Sequence, residues 1–331
     1  MSVILFVGSK QYSQLSTVFD KISAITESVK FIDFFENSSV SAILEDGDDH
    51  FSIFLNGVHL ESPTVVVFDP KYLAQQFGAT EEWASRLITQ RNWRAFNDNL
   101  ISILPGKKLN EPAAVQDILP KMKQLILACE SGLKIPQTIV SNDTANIVNF
   151  GEKFGSLITK ALGDPTIPVV GEDKAQRILM TAPLDHDILA SADEKQPFPV
   201  LVQKNIEKRF EYRVVLVRDR IFAFRIDPHA HPLLATDYRR GGFMVKYVLT
   251  DLPIDIAGKI AILHEKTRLF SASYDLIEGI DGEFYFLEVN PAGVWGYIDE
   301  SNGGVISDAF AEEVLAEFAQ ADQPSRLIAA Q

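Results

Sequence analysis

Two acidic residues and one amide residue are spaced so that they can share a site in the stretch YDLIEGIDGEFYFLEVNPAG. Asp281 and Gly282 separate two apolar runs, a strong signal for a β-hairpin with a two-residue turn. Such a turn places Asp275 directly opposite Glu288. Because side chains on a strand alternate between faces, Asn290 lies on the same face. Oxygen ligands without His or Cys favour a hard cation such as Mg²⁺.

The alternative interpretation is an edge hairpin whose acidic face is solvated. Two features favour the cation site. Asn290 is followed by Pro-Ala-Gly, a chain break that ends the strand where a ligand site can open. Upstream, the run from Lys204 to Arg240 holds nine Lys or Arg residues against five Asp or Glu, in a chain whose net charge is -14. We therefore expect an anionic small ligand to bind at this basic run.

The elements that must position these residues form three regions and a tail, and the predicted fold class is α/β and α+β. Residues 1–115 contain the strands SVILFVG and TVVVFDP with helical stretches, which predicts an α/β domain with a largely parallel sheet. Residues 116–200 continue a helix over AAVQDILPKMKQLILACESG, then show the strand LKIPQTIVSND and a mobile loop GDPTIPVVG. Residues 201–322 hold long strands and two helices. Residues 323–331 are predicted to be a loose tail.

The composition is that of a soluble globular protein. Of the 331 residues, 46% are hydrophobic and 23% are charged, and no apolar run is long enough to span a bilayer. The acidic charge opposes affinity for nucleic acid and anionic membranes. The N-terminal MSVILFVGSK has no basic region before its short apolar run, so we interpret it as a buried strand and expect a cytoplasmic protein. Cys129, the only cysteine, excludes an internal disulfide.

Several motifs together resemble the ATP-grasp superfamily of ligases. Asp275 followed by the run EVNP, which contains Glu288 and Asn290, resembles the metal-binding signature of these enzymes. Lys121 in KMKQLILA and Lys160 at the end of SLITK resemble the two lysines that contact nucleotide phosphates. The resemblance implies that the three oxygen ligands bind Mg²⁺ and that the two lysines bind ATP.

The resemblance also implies an adenine site between the second and third regions. The run QKNI, with Gln203, Lys204 and Ile206, resembles the hinge whose backbone holds adenine in this superfamily. Glu211 resembles the acid that takes the ribose hydroxyls, although related ligases often carry Asp there. ATP and Mg²⁺ are therefore the expected cofactors.

More narrowly, the chain is similar to the graspetide synthetases, the maturases of microviridin-type peptides. The runs IEKRFEYRVVLVRDRIFAFRID, TDYR and FLEVNPAGVWGYIDE carry this similarity. It implies an ATP-grasp fold with a pre-ATP-grasp domain over 1–115, a central subdomain over 116–200 and a C-terminal antiparallel-sheet subdomain over 201–322. The implied partner is a precursor peptide with a leader and a core of Thr, Ser or Lys plus Asp or Glu, and the implied assembly is a homodimer. Tyr238 stands where tryptophan is expected.

The chemistry implied by this resemblance is activation of Asp or Glu side chains as acyl phosphates, followed by closure of ester or amide rings. We assign Arg213 to stabilising the acyl phosphate and its tetrahedral successor. Arg239 is the candidate for binding the acceptor carboxylate, since its planar fork suits that group. Arg225 is a second candidate for the same site, with a surface strand arginine as the alternative.

Two other functions stay open at this point. The first is an ATP-grasp ligase that joins amino acids or adds glutamate to a small molecule or protein terminus. The second is a catalytically silent nucleotide-binding module, against which the full set of metal and phosphate candidates argues. His229 and His231 in DPHAHP suggest a His-x-His metal site, but a third ligand is not evident, and we interpret the segment as a loop.

Overall fold

The computed structural model describes residues 2–11, 13–33, 39–46, 51–60, 62–68, 83–163, 166–167, 177–185, 187, 189 and 193–328. Its N-terminal unit has a parallel sheet in the order β2-β1-β6-β7 and a small antiparallel sheet in the order β3-β4-β5. The bounds are β1 (Ile4–Gly8), α1 (Ser13–Ser23), β2 (Val29–Asp33), β3 (Val40–Leu44), β4 (Phe51–Leu55), β5 (Val58–His59), β6 (Val65–Phe68), α2 (Trp83–Ile103) and β7 (Lys107–Leu109). β1 is buried along its whole length, as expected for a strand covered on both faces.

The central unit is an antiparallel sheet in the order β12-β9-β13-β8, with a separate β10-β11 pair. Its elements are α3 (Pro112–Ile118), α4 (Lys121–Glu130), β8 (Thr138–Asp143), α5 (Thr144–Phe154), β9 (Leu157–Lys160), β10 (Thr166–Ile167), β11 (Arg177–Ile178), β12 (Ala182–Leu184) and β13 (Lys195–Lys204). Most of the predicted GDPTIPVVG loop lies outside the described residues.

The helix predicted over AAVQDILPKMKQLILACESG is two helices. Helix α3 ends at Ile118 and α4 begins at Lys121, with Pro120 as the residue before it. Proline has no backbone N–H and is unfavourable inside a helix, so the chain breaks there. Gly132, at a φ of 81°, follows the C-terminal end of α4. The break makes Lys121 the first residue of a helix.

The C-terminal unit is a five-stranded antiparallel sheet in the order β16-β15-β14-β17-β18. Its elements are β14 (Lys208–Val217), β15 (Arg220–Ile226), the 3-10 segments Pro232–Leu234 and Tyr238–Met244, β16 (Val248–Thr250), α6 (Ile254–Thr267), β17 (Ser271–Gly279), β18 (Phe284–Asn290), α7 (Gly296–Ser301) and α8 (Val305–Ile328). The mixed fold class predicted from the sequence is confirmed.

The last helix is longer than predicted. Helix α8 runs to Ile328, through most of the segment expected to be a loose tail, and residues 329–331 lie outside the described part. Glutamine, arginine and leucine in this segment have high helix propensity, which favours continuation of the helix. In the part of the chain that the structure describes, no helix is both long and apolar enough to cross a membrane.

The five-stranded sheet lies at the centre of the hydrophobic core. On one face Val214 and Leu216 of β14 join a cluster with residues of α3, α4 and α6. On the other face Val215 and Val217 join a cluster with residues of β1, β6, α1, α7 and α8. Because β14 side chains alternate, one face of the sheet packs on the N-terminal unit with α7 and α8, and the other packs on α3, α4 and α6.

A buried carboxylate also connects the N-terminal and C-terminal units. Glu317 on α8 is 3% exposed. Its side chain accepts from Lys107 of β7 at 2.5 Å and pairs with Arg218, which follows β14, at 2.6 Å. Removing the charge would leave two cations facing a neutral group.

We expect Glu317→Gln to lower the free energy of unfolding by about 1–3 kcal/mol, because charge-assisted hydrogen bonds are the stronger ones. Urea unfolding followed by circular dichroism measures this. Glu312→Gln is the matched control, since Glu312 lies on the same helix as Glu317 and pairs with Arg220 of β15, but its side chain is 66% exposed. Equal effects of the two variants would contradict the prediction.

A second stability prediction concerns His264 of α6. Its Nδ1 lies 2.7 Å from the hydroxyl of Tyr274, and burial lowers its pKa to about 4. The pKa in the unfolded chain is about 6.5, so the folded state resists protonation. The corresponding stability is present above pH 6.5 and is lost as the pH falls towards the folded pKa.

Between pH 7 and pH 5 this single group should remove about 2 kcal/mol from the free energy of unfolding. His264→Gln, which does not titrate, should show a correspondingly smaller loss over the same interval. Urea unfolding of both proteins at the two pH values measures the difference. A variant whose stability falls as steeply as that of the wild type would rule out His264 as the source.

Candidate active site

The predicted pairing of Asp275 with Glu288 is confirmed. The prediction assumed that one register runs from a two-residue turn to these residues, and that assumption is wrong. Asp275 of β17 lies opposite Glu288 of β18, and Ser273 lies opposite Asn290. Beside the turn, however, Ile277 pairs with Tyr285, one residue away from the register of a two-residue turn. A bulge next to Asp275 restores the predicted pairing. Turn and bulge together put both carboxylates on one face.

Arg213 of β14 extends this row across a third strand. It lies opposite Asp275, and its Nη1 donates to both carboxylate oxygens at 3.0 Å. Both side chains are buried, with 6% and 7% exposure. The Tyr238 hydroxyl lies 3.4 Å from Asp275 Oδ1. Hairpin spacing alone gives no information on β14, so the sequence did not predict this ion pair.

The two carboxyl groups have opposite pKa shifts. Burial raises the pKa of Asp275, and the charge of Arg213 opposes that rise without cancelling it. Burial also raises the pKa of Glu288, but the charges of Lys160 and Lys121 outweigh burial and bring it below its usual range. Each carboxylate therefore has its own cation: an arginine within the sheet for Asp275 and lysines from the central unit for Glu288.

The third predicted ligand bridges the two carboxylates. The Asn290 amide nitrogen lies 3.4 Å from Asp275 Oδ2 and 3.2 Å from Glu288 Oε1. Three side chains thus converge on one point. The oxygen and nitrogen of an amide exchange places by a rotation about the last side-chain bond, which would present a third oxygen to a cation.

These residues fit a magnesium ion by the chemistry of their donors. Two carboxylates and one amide oxygen form an oxygen-only set, which a hard divalent cation prefers. Among the described residues there is no group of three or more His, Cys, Asp or Glu that would hold a metal by themselves. A cation here would therefore complete its shell with water or phosphate oxygens.

Two lysines of the central unit face this hairpin. Lys121 is the first residue of α4, and its Nζ donates to the carbonyl of Ala161 at 2.6 Å. Lys160 is the last residue of β9. Burial lowers the pKa of both lysines, and the charge of Glu288 acts against that shift. The structure therefore brings Lys121, Lys160 and Glu288 into one electrostatic group.

The predicted hinge connects the two antiparallel sheets. Gln203 and Lys204 end β13, and Ile206 lies in the short link before β14. Gln203 is 1% exposed and donates from Nε2 to Thr138 Oγ1 at 3.0 Å. Ile206 is also buried.

Glu211, predicted to bind ribose, is 4% exposed and pairs with Lys208 at 2.8 Å. Lys208 also donates to the carbonyl of Thr236 at 2.8 Å, and its charge reaches Lys160. Sequence reasoning missed Lys208, since residues three apart on a regular strand face opposite sides. A register shift between Lys208 and Phe210 places Lys208 on the Glu211 side.

Arg239 is held by a partner that the sequence reasoning did not assign. Its Nε and Nη2 donate to the two oxygens of Asp237 at 2.8 Å and 2.6 Å. Burial raises the pKa of Asp237, but the hydrogen bonds from Arg239 outweigh it and lower the pKa to about 2. The charge of Arg239 also contributes to the low pKa of Glu288. Thr181 of the central unit donates its backbone N–H to Asp237 at 3.3 Å.

Arg225 lies on the opposite face of the sheet from Arg213. It pairs with Tyr212 across β14 and β15, whereas Arg213 pairs with Phe224. Neighbouring positions on a strand face opposite sides of the sheet, so Arg225 and Arg213 are on different faces. The Arg225 guanidinium stacks 4.6 Å from the ring centre of Phe210 and is exposed.

The two histidines of DPHAHP have structural partners. His229 Nε2 lies 2.9 Å from the carbonyl of Lys208, and His231 Nδ1 accepts from the backbone N–H of Leu233 at 3.2 Å. The segment between β15 and the first 3-10 helix is a turn. The interpretation of this segment as a loop is therefore confirmed.

Comparison with solved structures identifies the fold. A RiPP-associated ATP-grasp ligase of Chryseobacterium gregarium, solved with ADP and a leader and core peptide, superposes with a TM-score of 0.81 at 23% identity, over 96% of this chain and 97% of that one. The macrocyclase MdnC of Microcystis aeruginosa MRC, bound with the precursor peptide MdnA, gives a TM-score of 0.79 at 23% identity, over 96% of this chain and 100% of that one. The chain has the ATP-grasp fold.

A third ATP-grasp ligase, PsnB, was solved with a minimal precursor, Mg and ADP. It gives a TM-score of 0.69 at 19% identity, over 95% of this chain and 97% of that one. No family model matches the sequence, and no curated protein matches it either. The ATP-grasp fold expected from the sequence is confirmed over nearly the whole chain.

The loop after Asn290 closes one side of the site in this ATP-grasp fold. Asn110, which follows β7, donates from Nδ2 to the carbonyls of Ser271 and Pro291 at 2.8 Å and 3.0 Å. Its Oδ1 accepts from the backbone N–H of Ser271 at 2.8 Å. Gly293 packs so closely on β17 that an added Cβ would lie 2.5 Å from the Cβ of Ser273.

We expect Gly293→Ala to lower the free energy of unfolding by about 1–3 kcal/mol, because the new methyl group overlaps a fully buried side chain. Ser273→Gly removes the two nearest atoms that the methyl group would meet, the Oγ and Cβ of Ser273. The double variant should therefore be more stable than the sum of the two single changes predicts. Urea unfolding of the four proteins measures the coupling, and strict additivity would contradict this account of Gly293.

Proposed function

We propose that this protein is an ATP-dependent carboxylate ligase that uses Mg²⁺. The observation that carries the proposal is the convergence of Asp275, Glu288 and Asn290 on one point that faces Lys121 at the start of α4 and Lys160 at the end of β9. A group of oxygen ligands that faces two half-buried lysines suits a nucleoside triphosphate, whose phosphates need both a divalent cation and fixed positive charge. The similarity to ligases solved with ADP supports the same function.

In the proposed first step, an oxygen of a substrate carboxylate attacks the γ-phosphorus of ATP. The bond from that phosphorus to the bridging oxygen breaks, ADP leaves, and an acyl phosphate forms. Mg²⁺ bound at Asp275, Glu288 and Asn290 would neutralise charge on the phosphates. Lys121 and Lys160 would hold phosphate oxygens, and the link with Gln203, Lys204 and Ile206 would hold adenine.

In the second step, a hydroxyl or amine attacks the acyl carbon and loses its proton, and inorganic phosphate leaves as the ester or amide forms. We assign charge stabilisation in this step to Arg213, which Asp275 holds in place. Arg239 meets Asp237 through its Nε–Nη2 edge, so its Nη1 edge faces away. That edge is the proposed contact for the acceptor carboxylate.

The proposed substrate is a ribosomal precursor peptide whose Asp or Glu side chains are joined to Ser or Thr as esters, or to Lys as amides. Support comes from two solved structures that hold a leader and core peptide or a precursor peptide. Glu211 is the proposed ribose contact, within a pair with Lys208 that fixes its position. We also propose that the protein acts in the cytoplasm as a homodimer.

The test is intact-mass spectrometry of a peptide rich in Thr, Ser, Asp and Glu whose gene lies next to the gene for this protein. The peptide is measured after incubation with the protein, ATP and Mg²⁺. The peptide should lose the mass of one water molecule for each ring closed. Glu288→Gln should slow this loss about 100- to 1,000-fold, because it removes a preorganised charge at the phosphates.

Glu283→Gln is the matched control for Glu288→Gln. It makes the same chemical change in the same hairpin, but Glu283 is half exposed and pairs with Lys134, and it should leave the rate unchanged. An unchanged peptide mass together with ADP release on free glutamate or other amino acids would instead establish an amino-acid ligase. An unchanged mass with no ADP formed under either condition would overturn the proposal.

A further inference from the structure

The strand that carries two of the metal candidates is an edge strand. β18 pairs with β17 on one side only, at the end of the five-stranded sheet. Glu288 and Asn290 lie on this strand with Val289 between them. On an edge strand the outward backbone groups have no strand partner, so the position of the strand depends on whatever else they contact.

A side-chain amide occupies this outer edge at Val289. Gln124 of α4 accepts from the Val289 N–H through Oε1 at 3.1 Å and donates from Nε2 to the Val289 carbonyl at 3.1 Å. The same Nε2 donates to the carbonyl of Ile118 at 2.8 Å, at the end of α3. Gln124 is 4% exposed. One glutamine therefore replaces a neighbouring strand at the residue between the two ligands.

The same side chain relates the strand to a phosphate candidate. Gln124 is three residues after Lys121 on α4, and residues three apart lie on the same side of a helix. A bond from Gln124 to Val289 therefore sets the distance between the start of α4 and the Glu288–Asn290 pair. Further along the edge, the Phe286 N–H donates to the carbonyl of Lys134 at 2.8 Å. That second contact uses backbone atoms only. Of these two contacts on the outer edge of β18, only the one with Gln124 depends on a side chain.

We propose that Gln124 is a positioning residue that holds the metal-ligand strand against the helix bearing Lys121. This inference rests on the proposed function, since it concerns the same nucleotide and metal site. Groups that hold metal ligands in place from outside the ligand shell affect metal affinity, and a site 1 Å too loose loses much of its activity. Gln124 has this position relative to Glu288 and Asn290, and its side chain bonds only backbone atoms of Val289 and Ile118.

The variant to use is Gln124→Met, which keeps the length of the side chain and removes its hydrogen bonds. The control is Glu317→Gln, a buried change in α8 that costs stability away from this hairpin. Hydrogen–deuterium exchange of the unliganded proteins is the first readout. The Val289 amide should exchange faster in Gln124→Met, whereas Glu317→Gln should leave it slow relative to its neighbours.

The second readout is binding of Mn²⁺ in the presence of ADP, followed by electron paramagnetic resonance. We expect Gln124→Met to bind Mn²⁺ about 10-fold more weakly than the wild type, with no change in Glu317→Gln. If Gln124→Met does not fold, Gln124→Glu replaces it. This variant keeps an acceptor for the Val289 N–H but loses both donated bonds, so it should weaken Mn²⁺ binding in the same direction.

The outcomes separate the two proposals. Wild-type affinity for Mn²⁺ in the folded Gln124 variant, or an unchanged exchange rate at Val289, would overturn the role of Gln124 and leave the proposed function standing. A wild-type protein that binds no Mn²⁺ with ADP would overturn the proposed function itself. In that case faster exchange at Val289 would still support the strand-holding role, and unchanged exchange would remove it.

Discussion

The register of β14, β17 and β18 determines what the rest of this site can do. Arg213, Asp275 and Glu288 lie in one row across three neighbouring strands, because each pairs directly with the next. Like charges opposite one another on a sheet are unfavourable, and burial strengthens the repulsion between two carboxylates. The row is therefore tolerated only with cations around it. Arg213 supplies one from within the sheet, and the central unit supplies Lys121 and Lys160.

This charge arrangement connects two sheets that have no shared strand. The charges of Lys121 at the start of α4 and Lys160 at the end of β9 lower the pKa of Glu288, and the charge of Glu288 in turn opposes the lowering of the lysine pKa values by burial. Any relative movement of the central and C-terminal units changes both sides at once. The hydrogen bonds between Thr181 and Asp237 and between Arg240 and the Thr181 carbonyl add a second connection on the Arg239 side.

The N-terminal unit holds backbone segments next to the site. Among the described residues, it supplies no charged group to the site itself. Asn110 holds the first residues of β17 and the loop after Asn290. Gln124 does the same for the outer edge of β18. Buried side-chain amides with several bonds each thus fix the strands whose faces carry the charges.

The sequence by itself determined the mixed α/β fold, the acidic hairpin and the ATP-grasp resemblance, whereas the pairing of Asp275 with Glu288 also depends on a bulge that the sequence did not predict. The fold class and the hairpin follow from strand periodicity and turn residues, which act over short distances along the chain, whereas the resemblance rests on motifs such as EVNP. The tertiary structure alone decided the Arg213–Asp275 pair, the Lys208–Glu211 pair and the Asp237–Arg239 pair, and it placed Arg225 on the opposite face. Strand order, bulges and packed helices decide these positions, because they depend on contacts between residues far apart in the chain.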